Sequence, residues 1–396
     1  MTVAPLLETT IGQALAETTE KFGDHEVLVD VPAGRRWTYR EFLKDVRTMA
    51  SNLLAKGLKP GDRVGIWAPN RWEWFLTQFA TAEIGLILVN INPAYRLHEL
   101  EYALVKSDVR CVIAAERFKD SMYAEMLAEV APRCDALEMI WIMESDEFAG
   151  LLEGEISPQV AEIAASLTPN DPINIQYTSG TTGRPKGVML SHRNLESNAV
   201  MGREWLHTGS DEVVYGALPL FHVFGMTLGM TFAMSLGATL VLFPTPRADL
   251  IVGAMKRTPA TVLPAVPPIY QKVMELADEK GRSLEGITVG VSGAMALPHH
   301  LVEEWEAHTD GMLIEGYGLT ECSPLVACNP LNDTRRTGSI GIPFPSTDIR
   351  TVDPETLEDT PVGEPGELWV RGPQVFQGYW KRPAETAEIL QDGWLR

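Results

Sequence analysis

The stretch Thr38-Tyr-Arg-Glu-Phe-Leu-Lys-Asp-Val-Arg-Thr-Met-Ala-Ser-Asn-Leu-Leu-Ala-Lys-Gly57-Leu-Lys-Pro-Gly-Asp-Arg-Val-Gly-Ile-Trp67 carries the fold in miniature. Thr38-x-x-Glu41 is a capping box, and the apolar residues Phe42, Val46, Met49 and Leu53 recur at helical spacing behind it. Gly57 stops that helix, Lys59-Pro-Gly-Asp62 turns the chain, and Arg63–Trp67 reads as a short apolar strand. The alternation continues downstream: a helix near Trp72–Ile84, a strand at Leu86–Val89, a helix near Leu97–Lys106 and a strand at Val109–Ala114. Apolar strands between amphipathic helices predict α/β architecture, with mainly parallel sheets covered by helices.

Working outward, a polar, acidic stretch from Glu144 to Asp171 leads to a second alternating block. Its strands are expected at Val213–Leu218, Thr239–Phe243, Ala260–Leu263 and Ile287–Val291. After about Arg335, Pro and Gly crowd the chain and short β-prone pieces such as Glu367–Val370 replace helices. The expected organisation is an N-terminal α/β subdomain over 1–170, a second α/β subdomain over 171–334, and a small β-rich subdomain over 335–396.

The 53 acidic residues against 33 basic ones give a net charge of −20, which argues against general affinity for nucleic acid or an anionic membrane. An anionic ligand must therefore be held by local donors. Cys111, Cys134, Cys322 and Cys328 form no Cys-x-x-Cys pair and read as reduced, buried thiols of a cytoplasmic protein. The N-terminus has no basic signal-peptide region. The uncharged span Val223–Pro246 is interrupted by Gly225, Gly229 and Gly237. It is expected to split into a buried helix, a stop at Gly237 and a strand over Ala238–Phe243, with no integral membrane segment.

Two stretches carry chemistry. In Tyr177-Thr-Ser-Gly-Thr-Thr-Gly-Arg-Pro-Lys186-Gly-Val188, the hydroxyls of Thr178, Ser179, Thr181 and Thr182 alternate with Gly180 and Gly183, and the ammonium of Lys186 follows. Glycines let successive N–H groups converge, so the loop suits a polyphosphate better than a bland surface turn. It is not a Walker loop, because Pro185 precedes the lysine and Gly187 follows it. In Glu315-Gly-Tyr-Gly-Leu-Thr-Glu321, the third glycine of a dinucleotide fingerprint is replaced by Glu321. A carboxylate beside the Thr320 hydroxyl suits Mg²⁺ held against phosphate, although such a glutamate alone is more often a helix-start residue. Tyr317 offers a ring to a flat base. Gly290-Val-Ser-Gly293 misses the spacing of a hydrolase nucleophile elbow. His222, after Pro219, would by itself be a structural histidine.

Together and in this order, these stretches resemble the adenylate-forming superfamily of acyl-CoA synthetases, firefly luciferase and peptide-synthetase adenylation domains. Supporting similarity runs from Thr38 through Gly366-Glu-Leu-Trp-Val-Arg-Gly372 to Asp392-Gly-Trp394. The resemblance implies attack of a carboxylate on ATP to give an acyl-adenylate and pyrophosphate, followed by transfer of the acyl group to CoA. It places Thr178–Lys186 on the β- and γ-phosphates and Thr320 on the α-phosphate, with Glu321 and Thr178 on Mg²⁺. Tyr317 would stack on adenine, lined by Gly293, Ala294, Glu315, Gly316 and Gly318.

His222 would sit at the reacting carboxylate, making Thr178, Lys186, His222, Thr320 and Glu321 the catalytic set. Phe221, Gly225, Met226, Leu325 and Val326 would touch the acyl group. Phe221-His222 stands where amino-acid-activating members have Phe-Asp, which disfavours amino-acid substrates. The fatty acyl-CoA synthetase branch matches best, with a medium- or long-chain fatty acid first, an aryl acid second, and a non-catalytic nucleotide- and acyl-binding fragment as the alternative. The family pattern continues past Trp394 into a Thr-Gly-Asp segment and a C-terminal lid with a lysine. The 396 residues are accordingly expected to be the large N-terminal part, impaired without that lysine. Nothing in the sequence encodes an oligomeric state.

Overall fold

A computed structural model describes residues 8–178 and 185–396. The Thr38 box forms as expected: Glu41 N donates to Thr38 Oγ1 at 3.3 Å, and Thr38 N donates to Glu41 Oε2 at 2.9 Å. This starts the helix Tyr39–Ala55, whose Phe42, Val46, Met49 and Leu53 are all buried. The strand Arg63–Trp67 pairs in parallel with both Ile87–Asn90 and Val109–Ala114. The helices Trp72–Glu83 and Leu97–Lys106 fall within a residue of their expected bounds.

Two large sheets organise the chain. The seven-stranded sheet adds Pro172–Thr178, parallel to Ile87–Asn90, then Lys186–Ser191, antiparallel to Pro172–Thr178. The nine-stranded sheet is parallel through Val213–Gly216, Thr239–Leu242, Val262–Ala265, Val289–Ser292 and Met312–Gly318, then turns antiparallel at Leu325–Cys328. The strand Val262–Ala265 begins two residues later than the apolar run suggests, because Thr261 is used to bind the Val213 amide. Strand membership does not follow a division at residue 170. The hairpin Glu26–Asp30/Arg35–Thr38 lies in the nine-stranded sheet, against Thr239–Leu242, while Pro172–Thr178 lies in the seven-stranded one.

The span Val223–Pro246 holds a π-helical segment Gly225–Thr231 running into the α-helix Phe232–Leu236, a finer detail than apolar periodicity reveals. Gly237 caps it at φ 76°, and a Cβ there would meet the Phe22 ring at 2.3 Å. Among the described residues no helix is long and apolar enough to cross a membrane. Near the C-terminus, Asp348–Val352, Glu367–Arg371, Leu390–Gln391 and Trp394–Leu395 make the expected small antiparallel sheet. The strand Gly378–Tyr379 leaves it and extends the seven-stranded sheet beside Lys186–Ser191.

Candidate active site

Each large sheet is parallel through its centre and reverses in a hairpin at the edge nearest the cleft. One hairpin joins Pro172–Thr178 to Lys186–Ser191; the other joins Met312–Gly318 to Leu325–Cys328. The second of these hairpins borders a cavity of about 360 Å³, and Thr178, at the end of its strand in the first, reaches the same cavity. Thr178, His222, Gly293 and Ala294 line it, as do Gly316, Tyr317, Gly318, Thr320 and Glu321. Its apolar wall is Val223, Phe224, Pro324 and Leu325. Ser179, Gly180, Thr181, Thr182 and Gly183 lie outside the described residues.

Backbone geometry shapes the wall. Ala294 adopts φ 65°, a left-handed conformation that costs a residue bearing Cβ about 1 kcal/mol or more. Gly318 is required: a Cβ would lie 2.0 Å from Pro324 O, so no other residue lets the hairpin close. The Thr320–Cys322 turn then presents Glu321. Glu321 Oε1 accepts from the Tyr379 hydroxyl at 2.7 Å, and its backbone oxygen accepts from Phe376 N at 2.8 Å. Tyr317 is half-buried, and burial holds its hydroxyl in the protonated form. Glu315 is buried beneath the loop; burial raises its pKa, and its Oε2 has no partner.

On the opposite wall, Asn70 holds the turn before His222. Its Nδ2 donates to Leu218 O at 2.8 Å, and Leu220 N donates to its Oδ1 at 2.7 Å. His222 Nδ1 accepts from Phe224 N at 3.2 Å, so the neutral ring carries its proton on Nε2. The ring is exposed to the cleft, yet the surrounding walls exclude enough water to lower its pKa below the ordinary histidine value.

Several expected residues stand behind this cavity. Gly225 is buried, and a Cβ on it would meet Pro219 O at 2.4 Å, so it seats the π-helical segment on the His222 turn. Met226 is buried with its sulfur accepting from Gln176 Nε2 at 3.3 Å, Val326 is buried in its strand, and Phe221 is half-buried. None of these lines the cavity. Lys186 Nζ lies 3.3 Å from Glu385 Oε2 and 4.8 Å from the Tyr379 ring centre.

Sequence reading missed the residues that hold the loops. Asn198 grips Leu325 by both amide atoms, at 3.0 and 3.1 Å, and Thr227 Oγ1 donates to Ser323 O at 2.7 Å. The partners of Asn70, Asn198 and Thr227 are backbone groups 96 to 150 positions away, so no local spacing marks them. Among the described residues no group of three or more His, Cys, Asp or Glu could cage a metal. One carboxylate, Glu321, and one hydroxyl, Thr178, on the same cavity wall do fit Mg²⁺, which takes most of its oxygens from phosphate and water.

A family model described as AMP-binding enzyme matches residues 15–380. The chain belongs to that family. It is 34% identical to a mitochondrial medium-chain acyl-CoA ligase of Danio rerio, over 99% of this chain and 69% of the relative. It is 33% identical to a long-chain-fatty-acid–CoA ligase of Yersinia pestis, over 95% and 71%. Among solved structures, the inhibitor-bound N-terminal domain of FACL13 from Mycobacterium tuberculosis superposes with a TM-score of 0.88 at 25% identity, covering 98% of this chain and 95% of that one. The anthranilate CoA ligase AuaEII with anthranoyl-AMP gives 0.86 at 25% identity, covering 99% and 75%.

Proposed function

We propose that this protein is an AMP-forming acyl-CoA synthetase acting on a medium- or long-chain fatty acid. The observation that carries the reading is the single cavity in which Thr178, His222, Gly293, Tyr317–Glu321 and Leu325 converge from distant parts of the chain. A carboxylate oxygen attacks the α-phosphorus of ATP, the bond to pyrophosphate breaks, and an acyl-adenylate forms. The CoA thiol then attacks the acyl carbon, releasing AMP and a proton.

Tyr317 stacks on the adenine, whose edge lies along Gly293, Ala294 and Gly316, with Glu315 beneath. The Thr320 hydroxyl binds the α-phosphate, and the Thr178–Lys186 connection holds the outer phosphates. His222 donates from Nε2 toward the carboxylate and orients it for in-line attack. A neutral imidazole suits this role, because a cation there would stabilise the free carboxylate more than the attacking one. Val223, Phe224, Pro324 and Leu325 give the acyl chain an apolar wall. Glu321 with Thr178 would hold Mg²⁺, which would supply charge neutralisation on the phosphates.

The test is AMP release with CoA and acids of graded chain length, read beside ATP binding by thermal shift. ATP-dependent AMP formation that is strongest with medium or long aliphatic acids is expected. Stabilisation by ATP without AMP from any acid would leave a non-catalytic binding module instead, and a preference for benzoate-like acids would reassign the substrate class.

A further inference from the structure

The segment after residue 372 does more than complete a small sheet. Gly378–Tyr379 pairs antiparallel with Val188 and Met189, and Trp380 N donates to Gly187 O at 2.7 Å. Tyr379 N donates to Thr386 Oγ1 at 2.9 Å, which ties the strand to the helix Pro383–Ile389. These bonds put the Tyr379 side chain between the Lys186–Ser191 strand and the Thr320–Cys322 turn. Its ring face lies 4.8 Å from Lys186 Nζ, and its hydroxyl donates to Glu321 Oε1 at 2.7 Å. Glu385, from the helix that follows, braces the same lysine at 3.3 Å and is itself paired with Arg382.

An unbraced glutamate at a cavity wall samples several rotamers, and fixing such a side chain on binding costs conformational entropy. A phenol donating to one carboxylate oxygen removes that cost in advance and leaves the second oxygen for a ligand. The ring also fixes the distance between the cation and the anion, which otherwise belong to different sheets.

We propose that Tyr379 is a positioning residue for Mg·ATP. It orients Glu321 through its hydroxyl and spaces Lys186 from it through its ring. The inference rests on Glu321 being the carboxylate that meets the nucleotide's metal. It predicts a defect seen with metal-loaded ATP and absent with metal-free ATP.

ATP binding to the 396-residue chain is measured by titration calorimetry, with excess Mg²⁺ and again with EDTA. The proteins are wild type, Tyr379→Phe, Glu321→Gln and the double variant. Tyr379→Phe removes only the hydroxyl, keeps the ring over Lys186, and should melt within about 2 °C of wild type. Hydrogen bonds to charged groups are strong enough that Mg·ATP affinity should fall about tenfold in Tyr379→Phe. Metal-free ATP affinity should stay unchanged, and the hydroxyl loss should add nothing in the Glu321→Gln background. Undiminished Mg·ATP affinity, an equal loss with and without metal, or additive losses in the double variant each overturn the role of Tyr379. Failure of the wild-type chain to bind ATP in either buffer defeats the nucleotide reading itself, and this inference with it.

Discussion

The two hairpins that face the cleft are built alike and secured differently. Each follows the parallel strands of its sheet and carries a glycine-rich connection. The Met312–Cys328 hairpin is clamped from three directions: Asn198 on Leu325, Thr227 on Ser323, and Phe376 N on Glu321 O. Among the described residues, the return side of the Pro172–Ser191 hairpin is held by the Tyr102 hydroxyl donating to Pro185 O at 3.0 Å, by the Lys186–Glu385 pair and by the strand Gly378–Tyr379. The clamped connection places a carboxylate, whose direction decides where positive charge is gathered. The other, in the function proposed, offers many donors to phosphates, and many donors tolerate a less exact frame. Preorganisation is concentrated where one group must point one way.

That contrast is open to attack by substitution, beginning where the effect is largest. Glu321→Ala should reduce AMP formation about a thousandfold with the melting temperature preserved, because the residue serves charge placement and little packing. A near-normal rate would remove Glu321 from the chemistry. Next, Asn198→Ala strands the Leu325 amide and carbonyl in a fully buried site, costing about 2–4 kcal/mol in urea unfolding. Its rate defect should appear even at saturating ATP. A loss below about 1 kcal/mol would show that the clamp is redundant with Gln374, which donates to Leu325 O at 3.3 Å.

The helix His192–Leu206 that carries Asn198 also buries Glu196, whose pKa burial raises to about 7. A folded-state pKa above the unfolded one means that the native state retains the proton. The stabilisation is present at low pH and is lost as pH rises from about 4.5 toward 7. Glu196→Gln should therefore stabilise the protein by up to roughly 3 kcal/mol at pH 8, and by little at pH 4.5. On the same helix, burial lowers His192 to about 4, with the opposite sign: its contribution fades as pH falls from about 6.5 toward 4. Equal effects of Glu196→Gln at both pH values would show the carboxyl to be hydrated. Smallest of all, Tyr102→Phe frees Pro185 O and should raise the KM for ATP only about threefold, as one partly solvated hydrogen bond of about 0.5–1 kcal/mol implies. A loss as large as that of Asn198→Ala would erase the distinction between the two hairpins.

Much of this was legible along the chain. Thr38 with Glu41, and Gly237 at the end of an apolar helix, are local signals, since a cap or a stop needs only its neighbours in sequence. Tyr317, Thr320 and Glu321 were legible because glycines at fixed spacing mark a tight connection whatever surrounds it. Met226 and Val326 were expected at the acyl group but are buried behind the cavity. An apolar residue beside a site reads the same whether it lines the wall or supports it. The hairpin Glu26–Thr38 was likewise silent about which sheet it joins, because strand pairing is set by side chains roughly two hundred positions away.

By itself the sequence determined the types of the elements, the order of the two glycine-rich connections, and the chemistry each offers. Those depend on periodicity, capping and composition within a few residues. Only the tertiary structure decided that Asn198 and Tyr379 hold the second connection in place and that Asn70 holds the turn before His222. The physical reason is that an amide clamp or a phenol–carboxylate bond depends on direction and on distances near 3 Å, and only the packed sheets bring its partners that close.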